Sequence, residues 1–189
     1  PAGDDPVPTK LDLAIEAAVN ALDLFADRDV VGLRVFSTEI GPNSDAEVVA
    51  FVVDRYGDVL VVQTLSQGSD HLLPVLTRLL VELTGATGIV ERNDPRVRQL
   101  EGLEQKVEVV HGAVPETIAV REGGVTYDVD PWRGQKTGLF LDQRENRQAA
   151  SQYVSGRTLD CFSYAGGFAL QLASHVDELT ALDISEDAI

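Results

Sequence analysis

"LDCFSYAGGF", residues 159–168, is the stretch on which the fold turns. An apolar run reaches Asp160, passes into an aromatic-rich loop, meets the pair Gly166-Gly167 and continues as "FALQLA", which reads as helix. Its surroundings repeat the pattern. "GRTLDCF" (156–162) reads as a strand, "GGFALQLASH" (166–175) as a helix, "ELTALDI" (178–184) as a strand and "SEDAI" (185–189) as the first turn of another helix. Strand, helix, strand, helix in short order marks a parallel sheet with crossover helices. A parallel sheet needs several strands with both faces covered. Two strands have passed when the sequence closes, so the expectation is a chain that stops part-way into a doubly wound domain.

Upstream the pattern is different. Residues 1–9 are rich in Pro and Asp and read as a mobile arm. Residues 10–27 place Leu11, Ile15, Ala18, Val19, Leu22 and Phe25 on one face at helical period. "VVGLRVFS" (30–37) follows, then two β-branched runs joined at Gly57-Asp58, a hairpin signal. "SDHLLPVLTRLLVELTG" (69–85) predicts a helix capped by Ser69 or Asp70 and stopped by Gly85, with Pro74 in its first turn. "ATGIVERND" (86–94) is a short strand and its exit, and "ETIAVREGGVTYDVD" (116–130) a second hairpin turning at Gly123-Gly124. "PWRGQKTGLFLDQRENR" (131–147) reads as a connecting loop entering a helix from about Asp142 to Val154. The predicted fold class is α/β: a small α+β domain over 1–130, then the first part of a doubly wound, Rossmann-like domain over 131–189.

Composition narrows the function classes. The 189 residues are 44% hydrophobic, and no apolar run approaches the roughly 18 residues of a membrane helix. The first ten residues carry no basic region followed by an apolar one, so no signal peptide is read there. The single cysteine, Cys161, excludes an internal disulfide. A cytoplasmic protein is expected. The formal charge is −16, from 31 acidic and 15 basic residues, a field that repels nucleic acid wherever it is not locally reversed. The basic cluster Arg92, Arg96 and Arg98 is interleaved with Glu91, Asp94 and Glu101 and reads as a solvated surface rather than an RNA contact. His71, His111 and His175 are scattered without ligand spacing, and no metal site is expected.

In open α/β sheets ligands sit beyond the carboxyl ends of strands. Gly166 and Gly167 allow a sharp turn and close approach of a ligand. The next strand ends at Asp183, 23 residues after Asp160, where a carboxylate can accept hydrogen bonds from two ribose hydroxyls. Ile184 beside it can cover an adenine face. The G-x-G-x-x-G that cradles a dinucleotide pyrophosphate is absent. A loop with fewer glycines and a carboxylate at Asp160 suits the cationic S-adenosylmethionine better than a dinucleotide. The alternative is that "SYAGGF" is only a tight turn capped by Asp160.

Three segments together, "KTGLFLDQRENR", "LDCFSYAGGFALQLA" and "ALDIS", resemble the bacterial S-adenosylmethionine-dependent methyltransferases of large-subunit ribosomal RNA that act on carbon 5 of cytosine. "VVDRYGDVLVVQ" and "GIVERNDPRVRQLEGLE" resemble the small α+β domain that precedes the methyltransferase domain in that family, so the resemblance spans residues 48–189. It implies that Asp160, Phe162, Ser163, Tyr164, Gly166, Gly167 and Phe168 form the cofactor loop. It further implies that Asp183 is the ribose-binding acid, with Ile184 next to it, and that Lys136, Thr137, Phe140 and Asp142 belong to a stretch folding over the cofactor. The alternative for that stretch is that Lys136 and Arg144 merely pair with carboxylates while Phe140 packs in a core.

The implied cofactor is S-adenosylmethionine and the implied partner RNA, with no membrane, no metal and a homodimer left open. The family's amino-terminal RNA-binding domain has no counterpart here, and its nucleophilic cysteine is expected beyond Ile189, so no catalytic residue is assigned in this chain. Cys161 is expected to be small and buried in the cofactor strand. A nicotinamide-dependent oxidoreductase and a methyltransferase with a non-RNA acceptor stand as the competing readings.

Overall fold

The computed structural model describes residues 30–37 and 48–185, with side chains from Phe51 onward. The arm expected over 1–9, the helix over 10–27 and all but the first residue of the "SEDAI" turn lie outside the described residues. The chain divides into two compact units, Pro1–Val114 and Pro115–Ile189.

In the first unit, β1 (Val30–Ser37), β2 (Val48–Tyr56), β3 (Val59–Thr64), β4 (Gly88–Asn93) and β5 (Lys106–Gly112) form one sheet in sequence order. β2 and β3 are the hairpin expected at Gly57-Asp58. β3 and β4 are parallel, joined by the crossover helix α1 (Gln67–Thr84); the remaining pairs are antiparallel. Every residue of β3 and β4 is buried. Two-sided burial explains the apolar run Val59–Val62 of β3, whereas in β4 the buried Glu91, Arg92 and Asn93 follow only Ile89 and Val90. Leu73, Leu76 and Leu80 of α1 pack on Phe51, Val53, Leu60, Val62 and Ile89 of one sheet face. β5 escaped the sequence reading. Its central residues are exposed or half-buried, and the Val107-Glu108-Val109 alternation in "KVEVVHG" is too short to announce a strand; His111 belongs to it.

The helix starts earlier than the sequence predicts. Ser66 is the cap: its Oγ accepts the amide proton of Ser69, while Ser69 Oγ returns a bond to the Ser66 carbonyl. A side chain three residues nearer the strand than Ser69 therefore satisfies the orphan amides. Pro74 consequently lies inside the helix, where it has no N–H to give to the Asp70 carbonyl.

The basic cluster also resolves differently. Arg96 is exposed, but Arg92 and Arg98 are buried, Arg98 at 1% exposure. Arg98 lies in the one-turn helix α2 (Val97–Leu100) and donates to the Thr64 carbonyl, to Thr64 Oγ1 (3.0 Å) and to the Glu104 carbonyl (2.8 Å). It is also paired with Asp70 at 2.9 Å. Asn93 locks the same spot by exchanging bonds with Thr64, 2.7 Å each way. A guanidinium here joins the end of β3, the start of α1 and the α2 loop with one rigid fork. Burial pushes the Asp70 carboxyl up, but its bonds to Arg98 and Thr64 outweigh that and hold it below the usual value.

In the second unit, β6 (Ile118–Glu122) and β7 (Val125–Val129) form the second hairpin, with Gly123 and Gly124 both at positive φ as a two-residue turn requires. The loop 131–140 leads through a 3-10 turn at Leu141–Gln143 into α3 (Arg144–Ala150), which stops four residues short of the predicted Val154. β8 (Arg157–Cys161) and β9 (Glu178–Leu182) are parallel, linked by α4 (Gly167–Leu172) and a 3-10 turn at Ala173–His175. The class is the α/β architecture expected. The division falls at Val114/Pro115 where the sequence reading placed a boundary at 130. The reason is that the β6–β7 hairpin bonds to α3 and α4: Glu122 to Arg147, Tyr127 Oη to the Gly167 carbonyl.

Arg98→Ala should cost roughly 3 kcal/mol, the low end for breaking a buried pair because Asp70 keeps some access to water. Arg96→Ala, two residues away and exposed, should stay within about 0.5 kcal/mol. Urea unfolding of the two variants checks this, and equal losses would contradict the assignment. Asp70 has a depressed pKa in the folded state, so its stabilising share is complete above the unfolded value and lost as pH falls through the folded one. Acid unfolding of Asp70→Asn should lack that component.

Candidate functional site

β8 delivers its carboxyl end to a loop with unusual backbone. Phe162 (φ 64°) and Tyr164 (φ 47°) both occupy the left-handed region, which non-glycine residues seldom adopt. Gly166, at φ 71°, completes the turn into α4, and here the absence of a Cβ is what the conformation requires. The buried Ser163 between them donates its amide to the Leu182 carbonyl (2.9 Å), carrying the β8–β9 ladder one step beyond the strand. Its own carbonyl accepts from Gly166 N at 2.9 Å. Asp160 Oδ2 accepts the Ala169 amide of α4 at 3.0 Å; burial pushes its carboxyl up, with that amide opposing. Asp160 therefore does the capping that the tight-turn reading assigned to it.

β9 ends one residue before the second carboxylate. Asp183 Oδ2 accepts the Tyr164 amide (2.7 Å) and Oδ1 the Ser185 amide (2.8 Å). Those main-chain donors, Ser185 first, hold its carboxyl below the ordinary range, so it is an anion at neutral pH. Next to it Ile184 is 96% exposed, and Phe162 on the adjoining loop is 87% exposed. Two large apolar side chains stand in solvent beside an ionised acid.

The third segment reaches the same loop through Tyr164. Gln135 N–H donates to Tyr164 Oη at 2.6 Å, and the Phe140 ring meets the Tyr164 ring edge-on, 6.2 Å between centroids at 82°. Lys136, itself at φ 57°, sits 4.4 Å over the Phe140 ring and pairs with both Asp142 oxygens at 3.1 and 3.2 Å. The ion pair is part-exposed and of little weight for stability. It fixes the geometry of the stretch instead. Lys136, Phe162 and Tyr164 are the non-glycine residues with positive φ among the described residues, and all three lie in the segments singled out from the sequence.

Of the predicted site residues, Lys136, Phe140, Asp142, Ser163, Tyr164, Gly166 and Asp183 are thus joined by contacts that run through Tyr164 or the Asp183 end of β9. Phe162 and Ile184 are exposed beside them. Thr137 is buried, Phe168 half-buried, and Gly167 opens α4 where an added Cβ would meet the Arg147 side chain at 3.6 Å. Cys161 is exposed, contrary to the expectation of a buried thiol. Alternate residues of β8 and β9, including Leu159 and Leu182, are exposed with it, so that sheet face has no covering layer among the described residues. Among the described residues no group of three or more His, Cys, Asp or Glu side chains could hold a metal ion, and no helix is long and apolar enough to cross a membrane.

Three contributors escaped the sequence reading: Gln135, Glu122 and Arg147. Gln135 acts through its amide, which no side-chain pattern reveals. Glu122 and Arg147 are 25 residues apart and bond through two charges that look like ordinary surface residues in a sequence.

Comparison with known proteins follows the same lines. The S-adenosylmethionine-dependent methyltransferase family profile matches residues 40–189. The chain is 43% identical over 140 residues to ribosomal RNA large subunit methyltransferase I of Aeromonas salmonicida, covering 72% of this chain and 35% of that protein. It is 37% identical over 179 residues to the protein of that name in Photobacterium profundum, covering 93% and 44%. The chain therefore spans well under half the length of these curated relatives. Among solved structures it superposes on "a putative sam-dependent methyltransferase from Streptococcus mutans" with a TM-score of 0.69 at 19% identity, over 97% of this chain and 48% of that one. A "putative methyltransferase complexed with SAH" gives the same TM-score and identity, over 97% and 47%. At such identities the likeness is one of fold. A profile match over most of the sequence, with relatives above 30% identity covering most of this chain, establishes membership: the chain belongs to the S-adenosylmethionine-dependent methyltransferase family.

Proposed function

We propose that residues 136–142, 160–168 and 183–184 form an S-adenosylmethionine pocket in a methyltransferase that acts on ribosomal RNA. The observation that carries this reading is the backbone strain. Left-handed non-glycine residues concentrate where a site demands a special conformation, and here Lys136, Phe162 and Tyr164 mark the segments that converge on Tyr164. The donor set suits the cofactor. Asp183 is anionic, and a carboxylate's four lone-pair sites exceed the main-chain amides it accepts, so ribose hydroxyls can also donate to it. Ile184 and Phe162 supply exposed apolar surface for the adenine. Asp160 and Asp142 bring negative charge toward a sulfonium and an ammonium. Thr137, Ser163, Gly166, Gly167 and Phe168 shape the walls, and Lys136 and Phe140 close one side. Bound there, the cofactor supplies an electrophilic methyl group.

On the acceptor side, the names of the relatives support large-subunit ribosomal RNA, and we assign carbon 5 of cytosine. That carbon becomes nucleophilic only after a thiolate adds to the neighbouring ring carbon. Cys161 is the sole thiol in the 189 residues and stands on the cofactor strand. We assign it no covalent role. Buried Arg92, Arg98 and Arg147 are unavailable to phosphates, so the charge of −16 leaves RNA contact to other surfaces of the protein. The nicotinamide-dependent reading of the same loop has no support from the family. A ribosomal substrate implies the compartment where ribosomes assemble.

Calorimetric titration of S-adenosylhomocysteine into the protein as its gene encodes it, with NAD as control, should show binding of the first only. Asp183→Ala should weaken it at least tenfold, the loss of charge-assisted bonds to ribose. Because the acid is already ionised well below neutrality, affinity should be flat between pH 6 and 8 on its account. NAD binding, or indifference to Asp183→Ala, would overturn the pocket. Nucleoside mass spectrometry of large-subunit RNA after reaction should reveal 5-methylcytosine; a different methylated nucleoside would remove the cytosine assignment and leave the pocket standing.

A further inference from the structure

Beneath the loop lies a buried ion pair that the cofactor reading does not use. Arg147 of α3 and Glu122 at the end of β6 meet as a two-pronged fork, Nε to Oε1 at 2.8 Å and Nη2 to Oε2 at 2.7 Å, with side chains 2% and 0% exposed. A buried pair of this kind adds little net stability over well-packed apolar side chains. Its presence calls for what apolar side chains do not offer, which is directed hydrogen bonding.

The remaining nitrogen of the guanidinium supplies it. Arg147 Nη1 donates to the Phe140 carbonyl at 2.9 Å, and Phe140 is the ring that lies under Lys136 and against Tyr164. A Cβ added to Gly167, at the start of α4, would meet the Arg147 side chain at 3.6 Å, so the guanidinium stem runs alongside the glycine turn. From the other side the hairpin grips α4. The Glu122 carbonyl accepts from Gln171 Nε2 (3.1 Å), and a Cβ on Gly123 would fall 2.2 Å from that same nitrogen. Tyr127 Oη donates to the Gly167 carbonyl at 3.1 Å; burial and the Glu122 charge push its phenol up to about 12, so it remains a donor. One guanidinium thereby sets the distance between the 136–142 stretch and the glycine turn, with the β6–β7 hairpin as its anchor.

We propose that Arg147, oriented by Glu122, is a positioning residue for the cofactor pocket: it holds the Phe140 segment in register with the Gly166-Gly167 turn, and the hairpin contributes to cofactor affinity without touching the cofactor. This rests on the pocket proposed above. Arg147→Lys keeps the charge and loses the fork. The test is calorimetric titration of S-adenosylhomocysteine into the protein as its gene encodes it, carrying Arg147→Lys or, separately, Glu122→Gln. Arg147→Lys should raise Kd about tenfold at unchanged binding stoichiometry, and Glu122→Gln by severalfold, as for one lost charge-assisted bond.

A purely structural brace gives the opposite pattern: fewer competent molecules, hence lower stoichiometry and Tm, with Kd unchanged in those that bind. That outcome, with Asp183→Ala still weakening binding, overturns the positioning role and leaves the pocket intact. If Arg147→Lys fails to fold by circular dichroism, the same two outcomes are read from Glu122→Gln. Failure of the unsubstituted protein to bind S-adenosylhomocysteine overturns the pocket and this role together.

Discussion

Three L-residues held at positive φ, Lys136, Phe162 and Tyr164, are the constraint from which the second unit is best understood. Each such residue costs on the order of 1–3 kcal/mol. Against a whole-domain stability of about 5–15 kcal/mol, three of them are a substantial share and persist only because neighbouring groups over-determine them. The neighbours can be named. Tyr164 is tied at its amide to Asp183, at its hydroxyl to the Gln135 amide and along its ring edge to Phe140. Ser163, flanked by the two strained loop residues, is pinned to the Leu182 carbonyl. Lys136 is held by Asp142 and the Phe140 face. Strain and restraint occupy the same few residues, as expected where geometry is kept ready for a ligand.

The two units solve a related problem in the same way. Each places an arginine in a buried position and spends its several donors on main-chain carbonyls as well as on a carboxylate: Arg98 on Thr64, Glu104 and Asp70, Arg147 on Phe140 and Glu122. A lysine has no planar fork with which to make these bonds at fixed angles. In a chain with twelve arginines and three lysines, part of the arginine content is therefore structural. Any surface that meets RNA must locally reverse the field of the net negative charge.

Much of the architecture was legible because local signals were strong. The turns at Gly57-Asp58 and Gly123-Gly124, the stop at Gly85 and the apolar run Val59–Val62 of β3 each carry their own chemistry. Where local signals were absent or ambiguous, the reading slipped. β5 offers only the short Val107-Glu108-Val109 alternation, α1 offers several candidate caps among Ser66, Ser69 and Asp70, and α3 lacks a stop residue after Ala150. The cluster Arg92, Arg96 and Arg98 reads as one surface patch, yet two of its members are buried: Arg92 lies in a strand covered on both faces, and the one-turn helix turns Arg98 toward Thr64 and Asp70.

The candidate site divides along the same line. The sequence by itself determined that Asp160, the "FSYAGG" loop and Asp183 lie together, since they stand at the ends of two predicted strands and parallel pairing must bring those ends side by side. Only the tertiary structure decided how they are held. The Tyr164 amide on Asp183, the Gln135 amide on the Tyr164 hydroxyl and the Arg147–Glu122 fork join residues 19, 29 and 25 positions apart. Hydrogen bonds of that span are fixed by three-dimensional register, and a pattern of residue types along a chain contains no term for it.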